Sequence, residues 1–333
     1  MRLRNTVPLV ALLALAACGT SNEPTAASVP KPVSAAELAK VTLKVGDQKG
    51  GSKALLTAAG ALDDLPYKIE WSTFTSGPPE LEAISADSIH IGRVGNTPPI
   101  FAAAANAKIA VVAGSQGNVT SDAILVPKDS SVKSVKDLRG RTIGVSKGSS
   151  AHGQVLYNLR RNGLSTKDVT LSFLQPADAY GAFDQHRIDA WAVWDPYTSQ
   201  ALLQSDARVL VDGSGTANGY SFQVAGTRAL ADAGVNTAIR DYVVRHAKAE
   251  RWADTHREQW AQAWAKETGL SVEVARAAVD AGPDLPVPLD DEVVRSEQDL
   301  ADAFSADGVL PGKVDFGKFV DRRFTEDLEK DNT

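Results

Sequence analysis

Apolar positions along residues 41–227 alternate between two periods. The run 41–45 (VTLKV) places apolar side chains at every second position and ends at Gly46, the pattern of a half-buried strand. Residues 52–62 follow with helical spacing, 67–74 read as a strand, and 78–85 as a short amphipathic helix. IHIGRVG then predicts a strand, and TPPIFAAAANA a helix with Pro98 near its first position, where a missing N–H costs nothing. KIAVVAG and DAILVP are β-rich, and SVKDLRGRTIGV reads as a short helix, a glycine turn and a strand. The alternation continues with a helix over 150–162, a strand over 169–174, a helix over 177–184, a strand over 190–194, a helix over 196–204 and a strand over 208–211. Such alternation predicts α/β architecture, with parallel sheets covered by helices. After about residue 236 the chain is helical, and Trp252, Trp260 and Trp264 share one helical face, read here as packing rather than a ligand cage.

The N-terminus has a different pattern. Arg2 and Arg4 precede a nearly unbroken apolar run over 7–17 that ends at Cys18, the sole cysteine. A basic start, a short apolar run and small residues before a break form an export signal. The run is too short to span a bilayer, which takes about 20 apolar residues. Leu15-Ala16-Ala17-Cys18 resembles the lipobox of bacterial lipoproteins, in which the cysteine carries the lipid. This resemblance implies a signal peptide over 1–17 and an extracytoplasmic protein anchored to the cell membrane through Cys18. Residues 18–40, with several prolines and no apolar periodicity, are expected to form a tether.

Composition narrows the function classes. The chain has 35 basic and 41 acidic side chains; removing Arg2 and Arg4 with the signal leaves 33 against 41, a net charge of −8. An acidic chain without a basic stripe argues against nucleic acid. Acylation of Cys18 leaves no thiol for disulfides, nucleophiles or metal. The histidines at 90, 152, 186, 246 and 256 lack ligand spacing, so neither metal nor cofactor is expected. About 300 residues beyond the tether exceed what one core usually serves, and two lobes are expected.

Open α/β sheets bind ligands where strands end and helices begin. Four loops occupy that position: GDQKGG (46–51), GRVGNTPP (92–99), SKGSSAH (146–152) and WAVWDPY (191–197). In the third, Gly148 permits close approach, and Ser149 and Ser150 open a helix whose free N–H groups favour an anion. Lys147 stands beside them, and either serine also serves as an ordinary cap. In the fourth, Trp191 and Trp194 face opposite sides of a strand, Trp191 towards core and Trp194 towards the cleft. Asp195 reads primarily as a helix cap, with ligand contact as the other reading. Gly95, Asn96 and Thr97 offer backbone and side-chain polar groups, Gln48 and Lys49 offer donors, and Arg93 reads equally as a cleft residue or a solvated charge.

These residues carry a family resemblance. GNTPPIFAAAANA, KGSSAHGQVL, LQPADAYGAFDQ and DAWAVWDPYTSQALLQ resemble the periplasmic aliphatic-sulfonate-binding proteins of ATP-binding-cassette importers, within the nitrate/sulfonate/taurine-binding group. The similarity runs from about residue 41 to about 324. It implies a two-lobed type II periplasmic-binding-protein fold, two crossing strands near 124–127 and 209–215, and a cleft between lobe I (41–123 and 219–324) and lobe II (124–218). It also implies a monomer that captures a small anion without chemistry and delivers it to a membrane permease. The family's contacts fall on Gln48, Gly95, Thr97, Gly148, Ser149, Ser150 and Trp194, with Ser221 and Phe222 after the second crossing. Departures occur at Asp47, where relatives often have an aromatic residue, at Asn96, where they often have Asp, and at Arg93, where they have a small hydroxyl. Taurine, nitrate or a thiamine-precursor pyrimidine remain alternative ligands, and a sensor lipoprotein without transport an alternative role. An enzyme on this fold would use His152 as its base.

Overall fold

The computed structural model describes residues 29–330, so the signal peptide, Cys18 and the first part of the tether lie outside the described residues. Among the described residues eleven strands form two sheets: β1 (Thr42–Gln48), β2 (Lys68–Phe74), β3 (Ile91–Gly95), β4 (Ile109–Gln116), β5 (Ala123–Pro127), β6 (Thr142–Val145), β7 (Thr170–Phe173), β8 (Ala190–Val193), β9 (Ala207–Asp212), β10 (Tyr220–Gly226) and β11 (Leu285–Val287). The first sheet has the order β11-β4-β10-β3-β1-β2 and the second β7-β6-β8-β5-β9. Each sheet is the spine of one lobe.

The sheets are mixed, which corrects the expectation of purely parallel ones. β1 pairs in parallel with β2 and β3, and β6 with β7 and β8. β10 runs antiparallel between β3 and β4, and β5 antiparallel between β8 and β9. The cause is the crossover: the chain leaves one sheet along β4 to enter the other as β5, and returns along β9 into β10. The crossings themselves lie outside the strands assigned to them by sequence, because Ala123 already pairs with Val193 and Asp212 in the second sheet. They comprise residues 117–122 and 213–219, bonded to each other by Gly117 N–H to the Gly219 carbonyl at 2.9 Å and Gly213 N–H to the Val119 carbonyl at 3.1 Å. Gly219 is required there: its φ is +73°, and a Cβ would stand 2.4 Å from the Gly117 oxygen.

Both faces of each sheet are buried, and strand alternation divides their side chains. In lobe II, Ile124, Val126, Ala190 and Ala192 enter one core, while Leu125, Trp191 and Val193 enter the other. Trp191 is fully buried against Tyr180, Phe183 and Tyr197, as its strand position predicts. In lobe I, Ile84, Ile100, Phe222 and Phe304 fill one face and Leu43, Val45, Ile239 and Tyr242 the other.

The tether ends earlier than expected. Val33 N–H donates to Thr237 Oγ1 at 3.2 Å, Ser34 and Glu37 form a capping box for the turn Ala35–Leu38, and Leu38 is buried in the lobe I core. Residues 33–40 therefore belong to lobe I. The helical tail begins with Ala233–Thr255, capped by Asp232, and turns into a hairpin of Arg257–Thr268 and Val272–Asp280. This hairpin reaches from lobe I to the helix Tyr197–Gln204 of lobe II and closes one side of the cleft. Among the described residues no helix is long and apolar enough to cross a membrane.

Candidate functional site

A cavity between the lobes holds about 280 Å³ open to the centres of water molecules. Five helices start at its walls: Ser52–Ala58, Gly77–Ser85, Thr97–Ala104, Ser150–Arg161 and Tyr197–Gln204. Their first turns are not equivalent. The Asp47 carboxylate accepts from the N–H of Ser52 at 2.7 Å, and Asp195 from that of Ser199 at 2.8 Å, so two starts are already occupied by the chain's own acids. Pro78-Pro79 and Pro98-Pro99 each remove two N–H groups from the next two starts. The helix Ser150–Arg161 keeps its donors. Its first internal hydrogen bonds run from His152 and Gly153 to the Ser149 carbonyl at 3.0 and 3.3 Å, leaving the amides of Ser150 and Ala151 ahead of them. Ser149 does not cap this helix, since its hydroxyl donates to the Ser146 carbonyl at 2.7 Å. Of these five helix starts, this is the one whose first turn is neither capped by an acid nor interrupted by proline, which favours an anion.

Ten of the residues singled out by sequence line this cavity: Gln48, Lys49, Arg93, Gly95, Asn96, Ser149, Ser150, Trp194, Asp195 and Ser221. Three do not. Phe222 follows Ser221 on β10, so it faces the opposite side and is buried in the lobe I core. Thr97 is fully buried and donates to Asn96 Oδ1 at 2.9 Å. Gly148 turns away from the cavity: a Cβ there would meet Phe101 at 3.3 Å and Pro78 at 3.5 Å, both on lobe I. Lys147 is exposed beside the ring of Phe173, 5.6 Å from its centroid, and is not part of the cavity wall.

The departures from the family pattern acquire structural roles. Asp47 is a helix cap. Arg93 reaches the cavity, but its charge is committed to Asp284 at 2.6 Å and Glu250 at 3.5 Å, with Ser115 accepting at 3.1 Å. Asn96 Nδ2 donates to Asn218 Oδ1 at 2.8 Å, and Asn218 in turn donates to Glu297 Oε1 at 2.8 Å, which ties the cavity wall to the second crossing. Gln48 donates to Glu80 Oε2 and to the Arg93 carbonyl, both at 3.0 Å, so its amide group is engaged beneath the floor. Lys49 is exposed at the rim.

Sequence reasoning missed a second group of lining residues. Trp260 and Trp264, expected to be packing residues, both border the cavity and stack on one another with centroids 5.2 Å apart and planes 9° apart. Their i, i+4 spacing was the available signal. Arg257 is held by Asp254 at 3.1 Å. Burial with the neighbouring charges of Asp195 and Asp284 pushes the carboxyl of Asp122, in the first crossing, up to about 7, an effect the nearby Ser150 hydroxyl opposes. Burial also raises Asp47 to about 6 and moves Asp195 upwards.

His152 lies outside the cavity. It is buried among the rings of Phe101, Phe173 and Phe304, and its Nδ1 accepts the Gly148 N–H at 3.2 Å. Burial lowers it to about 4, so the ring is neutral, and it clasps the two lobes. Among the described residues no group of three His, Cys, Asp or Glu side chains is arranged to hold a metal ion.

Two mixed sheets, two paired crossings and a cavity between them define a periplasmic-type solute-binding protein. The chain belongs to the aliphatic-sulfonate-binding proteins of this class. A protein of Escherichia coli (strain K12) named for binding aliphatic sulfonates is 38% identical over 84% of this chain and 89% of its own. A family model described as NMT1/THI5 like matches residues 80–235. The alkanesulfonate-binding protein SsuA from Xanthomonas axonopodis pv. citri, solved bound to MOPS, superposes with a TM-score of 0.77 at 33% identity, covering 84% of this chain and 98% of that one. The desulfurization enzyme DSZB shares the fold alone, with a TM-score of 0.65 at 17% identity over 88% of this chain.

Proposed function

We propose that this protein captures a small organic sulfonate between its lobes and delivers it to the permease of an ABC importer, without transforming it. The observation that carries this reading is the open start of the Ser150 helix, flanked by the Ser150 hydroxyl and the Asn96 side-chain amide, whereas the N–H and hydroxyl of Ser149 are both spent on the Ser146 carbonyl. A sulfonate keeps its charge at every physiological pH and presents three acceptor oxygens to such donors. Hydrogen bonds to a charged group contribute about 1.5–3 kcal/mol each, and micromolar capture requires about 8 kcal/mol. Three or four such bonds with burial of the tail reach that value after association costs. The similarity to proteins named for alkanesulfonates supports the same ligand class. Ligand contacts are assigned to Ser150, Gly95, Asn96 and Trp194, with Ser221 and Lys49 nearer the edges of the cavity.

Calorimetry against ethanesulfonate, taurine, nitrate and an uncharged aminopyrimidine tests this assignment. Sulfonates are expected to bind best; tightest binding of the uncharged pyrimidine would overturn it.

The protein works outside the cytoplasm on a lipid anchor at Cys18, a reading that rests on the Leu15–Cys18 tetrapeptide. The intact mass of the native protein is expected to match a chain that begins at diacylated Cys18, and Cys18→Ala to release the protein from membranes or leave its signal uncleaved. A mature N-terminus elsewhere, without lipid mass, contradicts the anchor.

A further inference from the structure

We infer that the cavity is shaped for a sulfonate that carries a ring. The inference rests on the placement of the sulfonate head at the Ser150 helix and concerns the apolar wall of the same cavity. That wall is formed by Leu55, Ala253, Trp260, Trp264, Ala278 and Val279. The two indoles are nearly parallel, 9° apart at 5.2 Å, and stack on one another along the helix Arg257–Thr268. The backbone fixes this pair from behind. A Cβ on Gly50 would stand 1.9 Å from Trp264 Nε1, so the indole lies directly on the chain between β1 and the Ser52 helix. Flexible alkyl chains need only conformable apolar contact, such as leucine or methionine supplies, whereas stacked indoles add face and edge contacts that only another π-system returns.

The charged neighbours of this wall are satisfied within the chain, Arg257 by Asp254 and Glu250 by Arg93, which leaves the indole pair as the apolar contact offered to a ligand whose head lies at the Ser150 helix.

The test compares ligands of equal carbon number by calorimetry on the mature chain. Hexanesulfonate and benzenesulfonate differ in the ring, and ethanesulfonate reports the head site alone. Benzenesulfonate is expected to bind about three- to tenfold more tightly than hexanesulfonate. Trp260→Leu is expected to bring that ratio to within about twofold with ethanesulfonate binding kept, and Trp260→Phe to retain the preference. Hexanesulfonate binding as tightly as benzenesulfonate overturns the inference while ethanesulfonate binding leaves the sulfonate reading standing. A ring preference that survives Trp260→Leu intact overturns the assignment to this wall. Failure of every sulfonate to bind the wild-type chain overturns both readings.

Discussion

Replacing Ser150 by glutamate is expected to lower sulfonate affinity by more than a hundredfold while the free protein stays folded. The side chain borders the cavity at the first turn of its helix, and its Cβ is the nearest atom to the site a Cβ would occupy on Gly95 across the cleft, at 3.2 Å. A carboxylate there competes for the amides of Ser150 and Ala151 that an anionic ligand needs. The loss of two hydrogen bonds to a charged group costs about 3–6 kcal/mol. Repulsion between two like charges about 4 Å apart at an effective dielectric near 20 adds about 4 kcal/mol before water in the cavity screens it. Either contribution alone exceeds a hundredfold. The helix itself gains from an acid in its first turn, so unfolding does not account for the loss. Calorimetry against ethanesulfonate, with circular dichroism and thermal melting of the free variant, separates the two effects. Retained micromolar binding by Ser150→Glu would show that the head group sits elsewhere.

The fold was legible where period and punctuation agreed. Strand β1 and the helix Ser150–Arg161 follow from spacing, and the opposed placement of Trp191 and Trp194 follows from their odd separation. The capping box of Ser34 and Glu37 was present in the sequence and marks where the tether ends; it went unread because the preceding prolines dominated the composition. The direction of β10 and β5 was not legible, since strand polarity depends on where the chain crosses between lobes rather than on any local pattern. At the site, residues of all four loops border the cavity, but which side of the backbone faces it was not legible. Gly148 was read as an approach to the ligand and is instead an interlobe contact with Phe101 and Pro78. Trp260 and Trp264 fit a buried helix face as well as a cavity wall, and only the position of the hairpin across the cleft distinguishes the two. Asp122 and Asp284 lie in irregular segments with no periodic signal.

Those two acids change the electrostatic account of the site. Asp47, Asp122, Asp195, Glu250, Asp254 and Asp284 border the cavity against Lys49, Arg93 and Arg257. Arg93 is matched by Asp284 and Glu250, and Arg257 by Asp254. Asp47, Asp122 and Asp195 are left without a cation in the ion pairs of the described residues, and these three carboxyls are the ones raised above their ordinary range. Burial makes these three carboxyls ionise less readily than exposed acids, which lessens the repulsion an anion would meet in an acid-lined cavity.

Sulfonate affinity is therefore expected to fall by about tenfold as pH rises from 5.5 to 8.5, with Asp122 as the principal cause. Its carboxyl, raised to about 7, is neutral at the lower end of that range and ionised at the upper. The sulfonate does not titrate there, so the change belongs to the protein. Two effects have the same sign. Ionised Asp122 repels the head group, by up to about 3 kcal/mol for charges 5–6 Å apart at an effective dielectric near 20, a figure that water in the cavity reduces. It also competes with the ligand for the nearby Ser150 hydroxyl, which favours the charged form of Asp122. For the free protein, a folded value above the unfolded one means that this group's contribution to stability is complete below about pH 4 and is lost as pH rises through about 7. Asp122→Asn should then remove most of the pH dependence of binding and raise the melting temperature at pH 8 more than at pH 5. The main-chain bond from Gln154 Nε2 to the residue 122 carbonyl, at 2.8 Å, remains available to hold the crossing in place. Calorimetry at four pH values on both proteins is the measurement. A wild-type affinity that stays level or rises with pH, or an asparagine variant that keeps the full dependence, rules out Asp122 as the group responsible.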